Sequence, residues 1–244
     1  MCTIQNSFQR IETKYLLFPE QYAAMRRGML SHTRPDEHSR YTICNIYYDT
    51  EDYSLIRTSL DKPVYKEKLR LRSYGMPDSR DSVFVELKKK YDGVVYKRRI
   101  TTKSADAERA VRAGILPPAD QISREINWFL RSYRPRPAAF IGYDREAWSG
   151  IEDEDLRITF DTNLRGRDCA LDLRAGDFGE LFLPGDLILM ELKLAGGAPM
   201  WLSRLLSENG IFSSSFSKYG TYYKHLMGRA PVYGDYHTEV KRYA

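Results

Sequence analysis

The stretch Tyr65-Lys66-Glu67-Lys68-Leu69-Arg70-Leu71-Arg72 constrains the fold more than any other part of the chain. Extended, it alternates strictly: Lys66, Lys68, Arg70 and Arg72 share one face, and Tyr65, Glu67, Leu69 and Leu71 share the other. Same-face neighbours on a strand lie ~7 Å apart, two steps of ~3.3 Å. A row of cations at that pitch repels itself. One reading is an edge strand guarded by lysines against aberrant pairing. The other is a strand facing a polyanion whose charges also repeat along a line. The remaining strands decide between them.

Several segments repeat the pattern. Residues 8–17 alternate, with Arg10, Glu12 and Lys14 on one face. Residues 82–91 place Phe84, Glu86, Lys88 and Lys90 against Val83, Val85 and Leu87, and Asp92-Gly93 then reads as a hairpin turn. The returning strand to 101 puts Lys97 and Arg99 together, with Arg98 opposite. Residues 136–148 place Tyr143, Arg145 and Ala147 on one face, residues 156–162 do the same with Arg157, Thr159 and Asp161, and residues 186–194 with Glu191 and Lys193. Residues 41–48 form a further apolar, β-branched strand. The tyrosines are expected largely opposite the cations, which disfavours an aromatic platform on the charged face. Helices are predicted over 19–30, 53–59, 104–113, 119–133, 199–207 and 215–227, with polar loop over 31–40 and irregular chain over 164–184. Helices that interrupt runs of strands, rather than follow every one, make this an α+β pattern.

The chain has 244 residues, a net charge of +5 and a pI near 9.0, so its basic excess matters only if it is focused in one place. Cys2, Cys44 and Cys169 form no metal or disulfide pattern, and the histidines have no zinc spacing. No apolar run reaches the ~18–20 residues that span a bilayer, and no signal-peptide pattern opens the chain. The expectation is a cytoplasmic protein without an integral membrane segment, one domain over 1–230 with a tail over 231–244.

A closed antiparallel barrel with a basic interior, helices packed outside and a C-terminal helix closing one side organises these faces without strain. Its inward cations would be Lys14, Lys68, Arg70, Arg72, Lys88, Lys97, Arg99, Arg145, Arg157 and Lys193, together with Arg10, Lys66 and Lys90. The inward carboxylates are far fewer: Glu12, Glu86, Asp161 and Glu191. Such an enclosure is costly unless a multiply charged anion completes it. Phosphate chains match Arg and Lys by geometry and charge. Glu191 and Glu12 are the expected ligands of a divalent cation whose shell phosphate oxygens complete, while Glu86 and Asp161 can instead orient neighbouring Arg and Lys.

The residues also carry a family likeness. Glu12-Thr13-Lys14-Tyr15, Tyr47-Tyr48-Asp49, the run from Lys68 to Gly75, Val85-Glu86-Leu87-Lys88, Tyr143-Asp144-Arg145-Glu146-Ala147, the run from Arg157 to Leu164, Glu191-Leu192-Lys193 and Phe216-Ser217-Lys218-Tyr219 occur in that order. So ordered, the chain resembles the VTC-type polyphosphate polymerase domain of the triphosphate tunnel (CYTH-like) superfamily. The resemblance implies a tunnel of antiparallel strands, ATP as phosphate donor, Mn2+ or Mg2+, and growth of a polyphosphate or triphosphate acceptor, with no nucleic acid. By position it implies phosphate binding by Lys14, Arg70, Arg72, Lys88, Lys97 and Arg145, with Arg70, Arg72, Lys88 and Arg145 expected at the transferring group. It implies a metal at Glu191 and contacts from Ser217 and Lys218 at the head of the closing helix. Triphosphatase and cyclase relatives open with Glu-x-Glu-x-Lys, whereas Arg10 stands at the first Glu here, which favours the polymerase branch. The alternatives are hydrolysis of triphosphate or nucleoside triphosphate, and a catalytically silent polyphosphate or nucleic-acid binding module.

Overall fold

The alternating stretches pair into one antiparallel sheet. The computed structural model describes residues 11–117 and 120–228; Arg10 and the expected tail over 231–244 lie outside them. In chain order the elements are β1 (Ile11–Leu17), α1 (Pro19–Met29), β2 (Thr33–Asp49), α2 (Ser54–Leu60), β3 (Tyr65–Tyr74), β4 (Ser82–Tyr91), β5 (Val94–Lys103), α3 (Ser104–Arg112), α4 (Gln121–Tyr133), β6 (Arg136–Gly150), β7 (Arg157–Arg167), β8 (Glu180–Leu181), β9 (Ile188–Leu194), α5 (Met200–Glu208) and α6 (Lys218–Leu226). The sheet order is β1-β9-β7-β6-β2-β3-β4-β5, with β8 attached to β7.

The α+β expectation holds; the closed barrel does not. β1 and β5 are the two ends of the sheet, and among the described residues they do not pair. The sheet nevertheless curls, because Glu12 on β1 lies within electrostatic reach of Lys88 on β4. The free edge of β1 is occupied by the segment leading into α6, where the Ser214 N–H donates to the Lys14 carbonyl at 2.8 Å. That bond satisfies β1 backbone that barrel closure would otherwise have paired.

The apolar faces predicted by alternation point outward. α3 and α4 cover Leu69, Leu71, Val83, Val85 and Leu87 with Ala107, Val111, Ile126, Phe129 and Leu130. The α4 stripe repeats at i, i+3, i+4 and i+7, and its start is fixed by Asp120, whose side chain accepts from the Ser123 N–H at 2.8 Å. α1 and α5 cover Ile158, Phe160, Met190 and Leu192 with Met25, Met29 and Leu202. α6 instead lies on the concave face, packing Tyr219, Tyr222 and Tyr223 on Ile43, Tyr47, Ile141 and Leu189. Gly166 permits this approach: a Cβ there would stand 2.3 Å from the Tyr222 ring.

Two segments depart from the sequence reading. β2 begins at Thr33, not 41, because its polar first part pairs with β6 around a bulge between Pro35 and Arg40. Tertiary hydrogen bonding there overrides a loop-like composition. β7 continues to Arg167 rather than ending at 162. Asn163 adopts φ +51°, and the register with β6 slips between Gly142 and Asp144, so the alternation changes phase where the pattern appeared to stop. The Asp92-Gly93 hairpin forms as expected, both residues having positive φ.

Candidate active site

The concave face outside the α6 contact is a basic chamber with two ionic hubs and a ladder of lysines. The first hub is Glu86 on β4, 2% exposed. Arg70 donates to its Oε2 from Nε at 2.9 Å and Nη2 at 2.7 Å, and from Nη1 to the Tyr47 hydroxyl at 3.0 Å. Arg99 Nε donates to Glu86 Oε1 at 2.8 Å, and Lys97 Nζ lies 2.9 Å from the same oxygen. Arg72 stands 3.8 Å from Oε2 and is held by Asn45 Oδ1 at 3.0 Å and the Tyr143 hydroxyl at 3.4 Å. Burial would raise the Glu86 carboxyl, but Arg70, Arg72 and Lys97 hold it well below the usual carboxylate range. The facing of the Lys97-Arg98-Arg99 run is thereby fixed: Arg98 points outward, to Glu125 of α4 at 3.2 Å.

The second hub joins β6, β7, β9 and α6. Arg145 donates to Asp161 at 2.6 and 2.7 Å and to Glu191 Oε2 at 2.9 Å. Lys218 donates to Glu191 Oε1 at 2.9 Å and stands 2.6 Å from Asp161 Oδ2. Lys14 is 3.9 Å from Glu191 and is ion-paired with Glu12. Burial would raise Glu191, yet Lys218, Arg145 and Lys14 bring it well below its ordinary value. Burial likewise opposes ionisation of Glu12, which Lys14 and Lys88 lower to about 2. Burial lowers the Lys193 ammonium, while Glu12 and Glu191 beside it act the other way.

Between the hubs and α2 runs the ladder. Lys66 is directly opposite Lys90, Lys68 opposite Lys88, and Lys88 opposite Lys97. Like charges directly across a sheet destabilise it; Glu86 offsets this at Lys97, 2.9 Å away, and Lys66 Nζ donates to the Ser59 carbonyl of α2 at 3.1 Å. Burial, then Lys66 and Lys88, push the Lys68 ammonium down to about 7. Burial lowers Lys97 to about 8 although Glu86 pulls the other way. Lys68 Nζ reaches the Ser217 hydroxyl at 3.0 Å, and Ser217 in turn caps α6 by accepting from the Gly220 N–H at 3.2 Å.

Arg10 lies outside the described residues; of the expected lining residues that are described, the structure brings together all but one. Arg157 is the exception: its side chain is 46% exposed at the rim, ion-paired with Asp36 of the β2 bulge. The expected separation of tyrosines from cations holds by parity for Tyr15, Tyr65, Tyr91 and Tyr96 but fails on β2 and at the end of β3. Tyr41, Tyr47, Tyr74 and Tyr143 share the inward parity of their strands, since Tyr41 pairs with Arg145, Tyr47 with Arg70, and Tyr74 follows Arg72 by two. Parity could have found Tyr74; Tyr41, Asn45 and Tyr47 needed the β2–β3 register.

Glu12 and Glu191 test the fit of a divalent cation. Glu191 has both oxygens engaged, whereas the Glu12 side chain is 33% exposed with its Oε1 on Lys14. Among the described residues no group of three His, Cys, Asp or Glu side chains could cage a metal. Two carboxylates beside open cationic space fit a Mg2+-like ion only when ligand oxygens complete its shell.

Comparison with known proteins agrees with this geometry. A VTC domain family model matches residues 9–227. Vacuolar transporter chaperone complex subunit 4 of Schizosaccharomyces pombe is 26% identical over 193 residues, 66% of this chain and 26% of that protein. The Trypanosoma brucei subunit 4 is 26% identical over 153 residues, 50% of this chain and 19% of that one. The chain thus spans about a quarter or less of the length of these relatives. A putative adenylyl cyclase from Hippeastrum, described as having a dominant triphosphatase activity, superposes with TM-score 0.53 at 16% identity, covering 88% of this chain and 96% of that one. A putative adenylate cyclase from Bacillus halodurans superposes with TM-score 0.51 at 14% identity, covering 86% and 95%. At these identities the structures share the triphosphate tunnel fold and nothing finer.

Proposed function

The chain belongs to the VTC domain family, and from that premise we propose that it is a polyphosphate polymerase, transferring the terminal phosphate of ATP to a growing polyphosphate chain. The observation that carries this reading is the in-register lysine ladder, Lys66–Lys90 and Lys68–Lys88, continuing from the Arg70, Arg72 and Arg99 cluster. Repulsion across these like-charged pairs works against folding, and the ladder extends positive charge beyond the two hubs. A single triphosphate satisfies the hubs; a longer chain satisfies the ladder as well.

Phosphoryl transfer asks a protein mainly for alignment and charge stabilisation. Arg70, Arg72, Lys88 and Arg145 would hold the reacting phosphates, Lys14, Lys97, Arg99 and Lys193 their flanks, and Lys68, Ser217 and Lys218 the side toward α6. Glu12 and Glu191 would hold Mg2+ or Mn2+, which supplies neutralising charge at phosphate oxygens. The acceptor phosphate is itself the nucleophile, so no protein base is needed. Among the described residues no helix is long and apolar enough to cross a membrane.

The test is product analysis. Purified protein given ATP with Mn2+ or Mg2+ is expected to make an anionic ladder on a gel, resistant to nucleases and degraded by an exopolyphosphatase. Release of orthophosphate alone, with no lengthening of a polyphosphate primer, would replace this reading with the hydrolase.

A further inference from the structure

Six exposed large apolar side chains gather at the end of the sheet where β3 begins and the β4–β5 hairpin turns. They are Val64, Tyr65, Tyr91, Val95, Tyr96 and, from α4, Trp128, each between 43% and 64% exposed. Register makes them neighbours: Tyr65 is opposite Tyr91, Lys90 is opposite Val95, and Lys89 stands between Glu67 and Tyr96. The Asp92 N–H donates to the Val64 carbonyl at 2.9 Å and ties the hairpin turn to the start of β3. Trp128 joins through Tyr133, whose ring it meets edge-on at 6.3 Å and 90°, and whose hydroxyl donates to Glu67 at 3.1 Å. Tyr65, Tyr91 and Tyr96 have outward parity and Val95 inward parity, so the patch wraps the end of the sheet instead of covering one face.

Cations rim this patch. Lys62, Lys66, Lys90, Arg131 and Arg134 form no ion pair among the described residues. The carboxylates nearby do not cancel them: Glu67 is buried, and Glu125 is held by Lys89 and Arg98 at 3.1 and 3.2 Å, which leaves Asp61 and Asp92 exposed. We propose that this end of the domain docks on an anionic phospholipid surface, with Val64, Tyr91, Val95 and Trp128 entering the interface and the cations meeting headgroup phosphates. Nothing in this surface depends on the reaction proposed above. Trp and Tyr favour the bilayer–water interface, where an amphipathic ring meets both phases. Binding there grows with buried apolar area and with attraction to anionic lipid. Single-stranded nucleic acid fits less well, because a base stacks on aromatic faces and gains nothing from Val64 and Val95. A second copy paired along β5 also fits less well, because it would crowd Lys97, Arg98 and Arg99 of the two copies together.

Flotation of the purified chain is measured with vesicles of phosphatidylcholine alone and of phosphatidylcholine mixed with phosphatidylglycerol. The chain is expected to float with the mixed vesicles and to be released as salt rises, because screening removes the attraction to headgroups. Tyr91→Ser combined with Val95→Ser is expected to weaken that binding about tenfold, the worth of burying one aliphatic side chain. Arg131→Ser combined with Arg134→Ser is expected to weaken it and to flatten its salt dependence. Met200→Ser, which alters another exposed apolar residue, on α5, should change nothing. All these side chains are exposed, so the melting temperatures of the variants should match wild type. No flotation with the mixed vesicles, or flotation that neither pair of substitutions weakens, overturns the docking surface. Dimerisation in light scattering, or capture of a single-stranded oligonucleotide, that is lost in the Tyr91→Ser, Val95→Ser variant while vesicles stay unbound also overturns it and assigns the patch to a second copy or to a nucleic acid.

Discussion

Lys218, the first residue of α6, donates to Glu191 of β9 at 2.9 Å. One carboxylate therefore anchors the helix that occupies the concave face and is also the best-placed candidate metal ligand. Glu191→Gln is expected to cost stability as well as metal-dependent turnover. It leaves Arg145 and Lys218 with Asp161 as their remaining anion, and breaking a buried ionic cluster costs about 3 kcal/mol. Denaturant unfolding beside a Mn2+ titration of activity checks both effects. Unchanged stability and turnover would make Glu191 a bystander.

Glu86 binds the guanidinium groups that the ligand is proposed to use, so it competes with the ligand while keeping the empty chamber foldable. Glu86→Gln should lower the melting temperature of the free protein, and inorganic triphosphate should raise it more in the variant than in wild type. Differential scanning calorimetry with and without triphosphate reads this. An equal shift in both proteins would show that Glu86 does not restrain the arginines.

Arg70→Ala and Arg72→Ala should each weaken triphosphate binding by about 1.5–3 kcal/mol, the worth of a charge-assisted hydrogen bond. Arg72→Ala is the cleaner probe, because Arg70 makes two bonds to Glu86 and its loss also leaves that buried carboxylate underpaired. Wild-type affinity in both variants, by titration calorimetry, would place the row outside the ligand site.

The Lys68 ammonium, pushed down to about 7 by burial and by Lys66 and Lys88, gives a pH signature. Its folded value lies below its unfolded one, so in the free protein it disfavours folding most fully below pH 7. That penalty fades as pH rises toward the ordinary lysine value, because the unfolded chain then binds the extra proton. A polyanion reverses the local field and restores the proton. Triphosphate binding at pH 8 should therefore take up protons, seen as a dependence of apparent binding enthalpy on buffer ionisation enthalpy. Lys68→Met should reduce the uptake; no uptake in wild type would mean that Lys68 stays charged in the empty chamber.

Alternation in the sequence determined the sheet's two faces. The apolar positions of β3 and β4 had to be covered by helices, and the cations of β3, β4, β5 and β6 had to face one another, because period-two chemistry leaves each strand only two sides. Glu191 and the Glu86 neighbourhood were legible for the same reason, Lys218 only through the family resemblance, and Asp92-Gly93 declared its own turn. Tertiary structure alone decided what depends on neighbours. The long start of β2 is held by β6 rather than by its own polar residues, and the phase change at Asn163 hid the end of β7. Arg157 turned to the rim because Asp36 of a bulge captured it, and the sheet stayed open because the segment at Ser214 took the β1 edge. The contact of Tyr41, Tyr74 and Phe84 became visible only when register set them side by side: a ring's parity can be counted along one strand, but its distance from a ring on the next strand is a property of pairing.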